Sequence, residues 1–239
     1  MDGILTIIPL RTIKYSDRHS ILTAYSLERG PVSLLVPAGT GREASRIRAL
    51  TSPLSIIECQ ATNKPGRDIL VMKSPRAVIV MNNVLADPDR RMTAQFLAEL
   101  LTVVLREGEP DKGVFHFLTS SITKLDSVER PANFHLSFLY GLARVTGIAP
   151  DVTSYRDGML FDMTEGVFRM TRPYHNMYLS AADSHVMAML SRMTYDNMHL
   201  YHFTREQRNQ ILDVMLNYYT LHYTSLRSLQ SLEVLRRLF

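Results

Sequence analysis

The sequence predicts an α+β protein in which a small five-stranded β-barrel is followed by a helical half. Three observations indicate this division. β-Branched and aliphatic residues come in short bursts up to about residue 72, the apolar spacing becomes helical after about residue 74, and the positive charge is gathered in the first part. We therefore expect a barrel domain at 1–80 and a helical domain at 81–239. Of the 239 residues, 46% are hydrophobic and 21% charged, as in ordinary globular proteins.

Turn-forming residues separate the predicted strands. The tetrapeptide Glu28-Arg29-Gly30-Pro31 forms a tight connection, and the alternation of Val32, Leu34 and Val36 that follows has the period of a half-buried strand. Five strands in about 70 residues favour a closed or nearly closed barrel, because an open sheet of that size leaves unpaired edges. The strands are expected at Leu5–Ile13, Ile21–Leu27, Val32–Val36, Leu54–Cys59 and Ile69–Met72, with the polar segment Gly39–Ser52 as a loop between the third and the fourth.

Apolar stripes at helical spacing predict the second half. Pro131 and Gly147 bracket one helix in the preferred order, and Thr204 with Gln207 matches a capping box. The periodicity fades at about 149–180, where we expect irregular structure or a small hairpin. The helical segments are Phe96–Val104, Asp111–Leu125, Pro131–Gly147, Ser180–Met193, a helix that follows Thr204, and Leu226–Leu235.

The chain lacks the motifs of covalent and metal chemistry. It has no Walker A loop, no dinucleotide-binding glycine fingerprint and no nucleophile elbow. The single cysteine, Cys59, excludes an internal disulfide and a four-cysteine zinc site, and its strand pattern favours a buried structural thiol. His199 and His202 could share a helical face, but no second ligand cluster accompanies them. We expect no enzymatic activity, no metal and no cofactor.

We expect no targeting signal either. The first residues have no basic region of the kind that opens a secretory signal, and the most apolar later stretch, Phe96–Leu105, contains Glu99. That stretch is too short to cross about 30 Å of hydrocarbon. We expect a soluble, cytoplasmic protein with no membrane partner.

The net charge of +4 is unevenly distributed. Residues 1–80 carry eleven basic and six acidic side chains, a net of +5, whereas the remainder carries 16 basic and 17 acidic ones, a net of −1. A basic barrel is suited to binding phosphates, although surface arginines also serve solubility. Only Tyr15 and Tyr25 of the twenty Tyr and Phe residues lie in this part. Phosphate contacts should therefore dominate, with little base stacking.

Four stretches of the chain resemble the bacterial RecO family of DNA repair proteins. Their order and spacing carry the resemblance, since each motif by itself is loose. They are Pro9–Leu27 (PLRTIKYSDRHSILTAYSL), Glu28–Pro53 (ERGPVSLLVPAGTGREASRIRALTSP), Phe134–Asp151 (FHLSFLYGLARVTGIAPD) and Tyr223–Leu235 (YTSLRSLQSLEVL).

The resemblance implies a fold and a function. The barrel would be an OB-fold, and the protein would bind single- and double-stranded DNA and anneal complementary strands. The helical domain would bind the acidic, apolar C-terminal tail of single-stranded DNA-binding protein. With RecR, the protein would help RecA to load on coated DNA in RecF-pathway recombination, at the bacterial nucleoid. Annealing needs no covalent chemistry. A basic surface promotes it by screening the repulsion between two phosphate backbones.

Basic residues of the barrel half are the DNA-binding candidates. The set comprises Arg11, Lys14, Arg18, Arg42, Arg46, Arg48, Lys64 and Arg67. For the partner tail, Arg130 and Arg144 flank an apolar stripe that contains Phe134 and Phe138. The two arginines could offer cations beside an apolar groove, or simply lie on a solvated helix edge.

One departure from the family concerns zinc. Many relatives carry a four-cysteine zinc motif after the segment Gly147–Asp151, whereas Val152–Thr171 contains no cysteine. We therefore expect the segment near 149–180 to replace the zinc motif with a different local brace.

A second function remains open. The chain could be a non-catalytic interaction adaptor whose helical half docks a protein partner, with the barrel as a scaffold only. Binding to DNA coated by single-stranded DNA-binding protein, without binding to naked DNA, would favour the adaptor.

Overall fold

The computed structural model describes residues 3–63, 69–223, 226 and 229–238. Five strands close into a barrel with the order β1-β2-β3-β5-β4, in which β3 and β5 run parallel and the other pairs are antiparallel. This arrangement confirms the predicted barrel and its OB-fold class. The strands are β1 Gly3–Lys14, β2 His19–Ser26, β3 Gly30–Pro37, β4 Ile56–Thr62 and β5 Leu70–Ile79.

The expected loop between β3 and β4 contains a helix, α1 (Arg42–Leu50). Ala44 and Ile47 are spaced three residues apart and are both buried, and Ile47 belongs to the core cluster of the barrel. Five of the nine residues of α1 are polar and only Ala44 and Ile47 are buried, so the apolar stripe was too weak to predict a helix.

Alternate residues of the strands fill the barrel core. The core includes Cys59, which is 2% exposed, as expected of a structural thiol. Burial is the main reason why the pKa of this thiol rises to about 11, so the group stays protonated at neutral pH. The other core residues are Leu5, Ile7, Leu22, Ala24, Leu34, Val36, Ile47, Ile57, Ala61, Leu70 and Met72.

Helices occupy most of the remaining chain. Two of them begin at side-chain caps: Ser180 accepts a hydrogen bond from the Asp183 amide, and Thr204 and Gln207 form the complete capping box that the sequence predicts. The last helix begins only at Leu232, six residues after the predicted start. The helices are α2 Asn82–Ala86, α3 Pro88–Val104, α4 Lys112–Ser127, α5 Phe134–Val145, α6 Ala181–Leu190, α7 Arg205–His222 and α8 Leu232–Leu238, with 3-10 turns at Pro131–Asn133 and Met198–Leu200.

A three-stranded sheet occupies the segment where the periodicity fades. Strands β6 (Leu160–Asp162), β7 (Val167–Arg169) and β8 (Tyr178–Leu179) pair in the order β7-β6-β8. Phe161 and Phe168 pack together on this sheet, with ring centroids 4.9 Å apart. The segment for which we expected irregular structure or a small hairpin is thus a small sheet with an aromatic pair.

The chain divides into two compact units. The barrel unit comprises Met1–Ser127 and Leu229–Leu232, and the helical unit comprises Val128–Ser228 and Glu233–Phe239. The barrel unit extends beyond the predicted 1–80 because α2, α3 and α4 belong to it, so the division at residue 80 stays a prediction. None of the described helices has the length and apolar character that a membrane crossing needs.

Candidate nucleic-acid interface

A groove of about 810 Å³ opens on the barrel unit between the second half of β1, the end of β3 and α1. Three of the predicted DNA-binding cations line it: Arg11, Lys14 and Arg48. Asp17 is the one acidic residue among the described residues that line it. We call this feature the Arg48 groove. Its net positive charge and its open form suit a phosphate backbone.

Each of the three cations keeps donors for a ligand. Arg48 donates one hydrogen bond to the carbonyl of Gly39, at 2.6 Å, which positions the guanidinium and uses one of its five N–H donors. Nζ of Lys14 lies 2.9 Å from Oδ1 of Asp17, but both side chains are largely exposed. An exposed pair of this kind is weak, so a phosphate can replace the carboxylate at little cost. Arg11 is exposed and forms no ion pair with any residue that the structure describes.

The other candidate cations lie outside this groove. Arg18 is in the β1–β2 turn and Arg42 is at the start of α1, and both are exposed. Arg46 is paired with Glu43 through two hydrogen bonds, of 3.1 and 3.0 Å, so its charge is locally neutralised. Lys64 and Arg67 lie outside the described residues.

Two glutamines that are not among the predicted DNA-binding residues form the far side of the groove. Gln95 of α3 and Gln230 near the C-terminus line it and offer amide donors and acceptors. Glu99 holds the C-terminal segment in place, because its carboxylate accepts hydrogen bonds from the amides of Gln230, at 2.7 Å, and Ser231, at 2.8 Å. No local sequence signal predicts this contact, since about 130 residues separate the partners.

Phe134 and Phe138 occupy a different environment from the one predicted. Both rings are fully buried in the helical unit, with their centroids 6.4 Å apart, and Phe134 also stacks on Tyr195 at 4.8 Å. The expectation that they line a partner groove is therefore wrong, because a ring with no exposed surface cannot contact a docked peptide. The same apolar stripe that suggested a groove forms the core of this unit.

The two arginines that flank this stripe differ in their surroundings. Arg144 donates a hydrogen bond to the carbonyl of Ser191, and its guanidinium carbon lies 5.0 Å from the centroid of the Tyr140 ring. Arg144 is thus largely engaged within the helical unit. Arg130 is exposed and lines a cavity of about 310 Å³.

Asn133 lies at the buried side of that cavity, which we call the Asn133 cavity. Its Nδ2 donates to the carbonyls of Met198, at 2.9 Å, and Tyr201, at 2.7 Å, whereas its Oδ1 accepts no hydrogen bond from the described residues. The cavity therefore presents an unused buried acceptor. Cationic and aromatic side chains surround it: Arg130, His199, Tyr201, His202, Phe203 and Arg208.

Arg208 is partly withdrawn from water in this cavity. Its Nη1 donates to the carbonyl of Phe203 at 2.6 Å. Burial and the nearby charge of Arg205 lower the pKa of the guanidinium, although it stays protonated. A carboxylate that entered the cavity would compensate this charge. His199 and His202, the pair considered for a metal, line the same cavity, and the described residues contain no cluster of three or more potential metal ligands.

Comparison with known proteins covers almost the whole chain. The family model described as "Recombination protein O N terminal" matches residues 5–77, and "Recombination protein O C terminal" matches residues 85–232. This chain is similar to proteins named DNA repair protein RecO. Its sequence is 36% identical to the one from Phocaeicola vulgatus, 34% identical to one from Porphyromonas gingivalis and 27% identical to the one from Flavobacterium johnsoniae. Each alignment covers 97% of this chain and 97% of the relative. The chain therefore belongs to the bacterial RecO family of DNA repair proteins.

Proposed function

We propose that this protein is a non-enzymatic DNA-binding and strand-annealing recombination mediator. The observation that carries the proposal is the Arg48 groove, in which three cations and two amide side chains line one open channel on an OB-fold barrel. A single strand would lie along the groove with its phosphates against Arg11, Lys14 and Arg48. Two strands held at such surfaces meet with their charge repulsion screened, and their local concentration rises.

Family membership supports the proposal of a wider role. We propose that, with RecR, the protein helps RecA to load on DNA coated by single-stranded DNA-binding protein, in the RecF pathway. It would act on single- and double-stranded DNA in the bacterial cytoplasm, at the nucleoid. These steps need only binding and exchange, so no catalytic residue or cofactor is assigned.

A salt-titrated assay of single-strand binding and annealing tests the DNA-binding role. The logarithm of the affinity should fall linearly with the logarithm of the salt concentration, with a slope of about −0.7 per phosphate contacted. The triple variant Arg11→Gln, Lys14→Gln, Arg48→Gln should weaken binding and reduce the slope by about 2. The matched control Arg91→Gln, Arg106→Gln, Lys112→Gln removes the same charge from exposed positions of the same unit, away from the groove.

Unchanged binding and annealing by the groove variant would overturn the proposed interface. An equal loss in both triple variants would mean that net charge alone, and not this groove, determines the affinity. The double variant Arg42→Glu, Arg46→Glu separates the outer face of α1 from the groove, since Arg48 is the α1 arginine that lines the groove.

For the protein partner, we propose that the acidic tail of single-stranded DNA-binding protein docks in the Asn133 cavity. Arg130 and Arg208 would pair with its carboxylates, while the rings of Tyr201 and Phe203, 6.0 Å apart, would contact its apolar residues. Asn133 Oδ1 would accept a backbone N–H of the tail. Charge complementarity favours this occupant.

Titration with a synthetic acidic, apolar C-terminal peptide tests the assignment. Arg130→Ala should weaken peptide binding several-fold, whereas Arg144→Ala should leave it unchanged, since Arg144 is engaged by Ser191 and Tyr140. Loss of peptide binding in Arg144→Ala alone would place the tail elsewhere.

The adaptor function predicts a different result from the DNA assays. An adaptor would be captured by DNA coated with full-length single-stranded DNA-binding protein, but not by naked DNA or by DNA coated with the tail-deleted protein. Salt-sensitive capture by naked DNA favours the mediator, because the basic groove then binds DNA directly.

A further inference from the structure

The loop between β7 and β8 combines exposed aromatic and basic side chains. We define the 169–178 loop as Arg169–Tyr178. Tyr174 is fully exposed, Met170 is 70% exposed and Met177 is 49% exposed. Large apolar side chains that are gathered in one loop and left in water contribute nothing to the core, so their concentration indicates a binding surface.

Buried Asp162 of β6 holds the two arms of this loop. Its carboxylate lies 3.3 Å from Nε of Arg169 and 3.3 Å from Nε2 of His175, while the Asp162 side chain is only 3% exposed. The carbonyl of Met177 accepts a hydrogen bond from the amide of Met163, at 3.1 Å. These contacts fix the loop before a ligand arrives, and preorganisation reduces the entropic cost of binding.

The loop itself contains basic but no acidic residues. No acidic residue occurs between residues 166 and 182, whereas Arg169 and Arg172 both lie in this interval. Arg169 is held by Asp162, which leaves Arg172 as the cation for a ligand. Its guanidinium carbon lies 5.2 Å from the centroid of the Tyr178 ring, a cation–π arrangement that orients the side chain.

The barrel has few exposed aromatic side chains. Tyr15, in the β1–β2 turn, is 63% exposed, whereas Tyr25 is 3% exposed and cannot stack on a base. A strand bound along the Arg48 groove therefore has phosphate contacts but few platforms for its bases. On the helical unit, the 169–178 loop carries a fully exposed aromatic ring, Tyr174.

We propose that the 169–178 loop is a second binding site for single-stranded DNA, which stacks unpaired bases on Tyr174 and contacts an adjacent phosphate through Arg172. Stacking on an exposed ring requires a free base face, so the site selects single strands over duplex. The inference rests on the proposed DNA-binding function and extends it to the helical unit. No DNA contact through this unit is needed for the Arg48 groove to act.

Binding of a fluorescent oligo(dT) to the full-length protein tests this site. Tyr174→Ala should lower the affinity by about fivefold or more with an unchanged salt slope, because a stack is lost and no phosphate contact is removed. Tyr174→Phe should retain binding. Arg172→Gln should weaken binding and reduce the slope by about 0.7, because one phosphate contact is lost. Leu200→Ala, which removes an apolar side chain 64% exposed in the same unit, is the matched control.

The outcomes separate this inference from the proposed function. If the wild-type protein does not bind oligo(dT), both the proposed DNA-binding function and the second site are overturned. If the triple groove variant loses affinity while Tyr174→Ala binds as wild type, only the second site is overturned. An equal loss of oligo(dT) affinity in Tyr174→Ala and Leu200→Ala also overturns it. So does a Tyr174→Ala variant that binds oligo(dT) normally but loses affinity for the acidic peptide. Equal losses for single strand and duplex contradict base stacking. Retention in Tyr174→Phe, with loss confined to single strands, supports it.

Discussion

Arg46 and Glu43 form a two-point ion pair on the exposed face of α1, with Nε and Nη2 of the guanidinium each bonded to one carboxylate oxygen. The hydrogen bond from Arg46 lowers the pKa of the Glu43 carboxyl, so the pair persists at neutral pH. One of the predicted DNA-binding cations is thus engaged by its own helix, one turn away.

This pair predicts that Glu43→Gln raises the affinity for single-stranded DNA, since it frees Arg46 for a phosphate. The salt dependence should steepen by up to about 0.7 in slope. Arg46→Gln should have a smaller effect than Arg48→Gln. Glu107→Gln, which removes an exposed carboxylate elsewhere in the same unit, is the control. Equal gains in both glutamate variants would show that only the net charge matters.

His135 predicts a pH dependence of stability. It is fully buried in α5, and burial together with the charge of Arg208 lowers its pKa from 6.5 to about 3. Between pH 6.5 and about 3, His135 is therefore protonated in the unfolded chain and neutral in the folded protein. The contribution of neutral His135 to the free energy of unfolding is therefore fully present above pH 6.5. It decreases by about 1.4 kcal/mol per pH unit as the pH falls from 6.5 toward 3.

Urea unfolding at pH 7 and pH 5 measures this effect. The free energy of unfolding should fall less between these pH values in His135→Leu than in wild type, whatever the absolute stability of the variant. His116→Leu, which removes an exposed histidine of α4, should keep the wild-type dependence. A wild-type dependence in His135→Leu would contradict the assignment.

Gly30 lies against the loop between α3 and α4. Its φ is +66°, and a Cβ at this position would lie 3.1 Å from the carbonyl carbon and oxygen of Glu109 and from the nitrogen of Pro110. Gly30→Ala should lower the free energy of unfolding by about 2 kcal/mol or more, since backbone strain and overpacking add. Gly147 has a φ of +78° and open space where a Cβ would lie, so Gly147→Ala should lower the free energy of unfolding by only about 1 kcal/mol. Chemical denaturation measures both, and equal losses would mean that the close approach to Glu109 costs nothing.

The capping box of α7 predicts a stability loss for Thr204→Ala. Oγ1 of Thr204 accepts a hydrogen bond from the amide of Gln207 at 3.2 Å, and Oε1 of Gln207 accepts one from the amide of Thr204 at 2.9 Å. Removing the hydroxyl should cost about 1 kcal/mol in thermal or chemical unfolding. Thr123→Ala, at an exposed position inside α4, should change the stability little. Similar losses in both would indicate that the cap contributes nothing specific.

The elements that depend on local physics were predictable from the sequence. Strand alternation and turn residues located the five strands, and the capping motif at Thr204 located the start of α7, because each is determined by neighbouring residues. The resemblance to the RecO family covered stretches from both halves of the chain. Helix α1 was missed because only Ala44 and Ile47 among its residues are buried, and Ile47 is buried by the barrel core that it joins.

The tertiary structure alone decided which candidate residues line one groove. Arg11, Lys14 and Arg48 come together because the barrel closes, while an adjacent carboxylate engages Arg46. The sequence could not distinguish a buried apolar stripe from an exposed one, so Phe134 and Phe138 were assigned to a surface although they form a core. Periodicity and charge are local properties and determine the elements. Burial, ion pairing and grooves arise from contacts between residues far apart in the chain, and these exist only once it has folded.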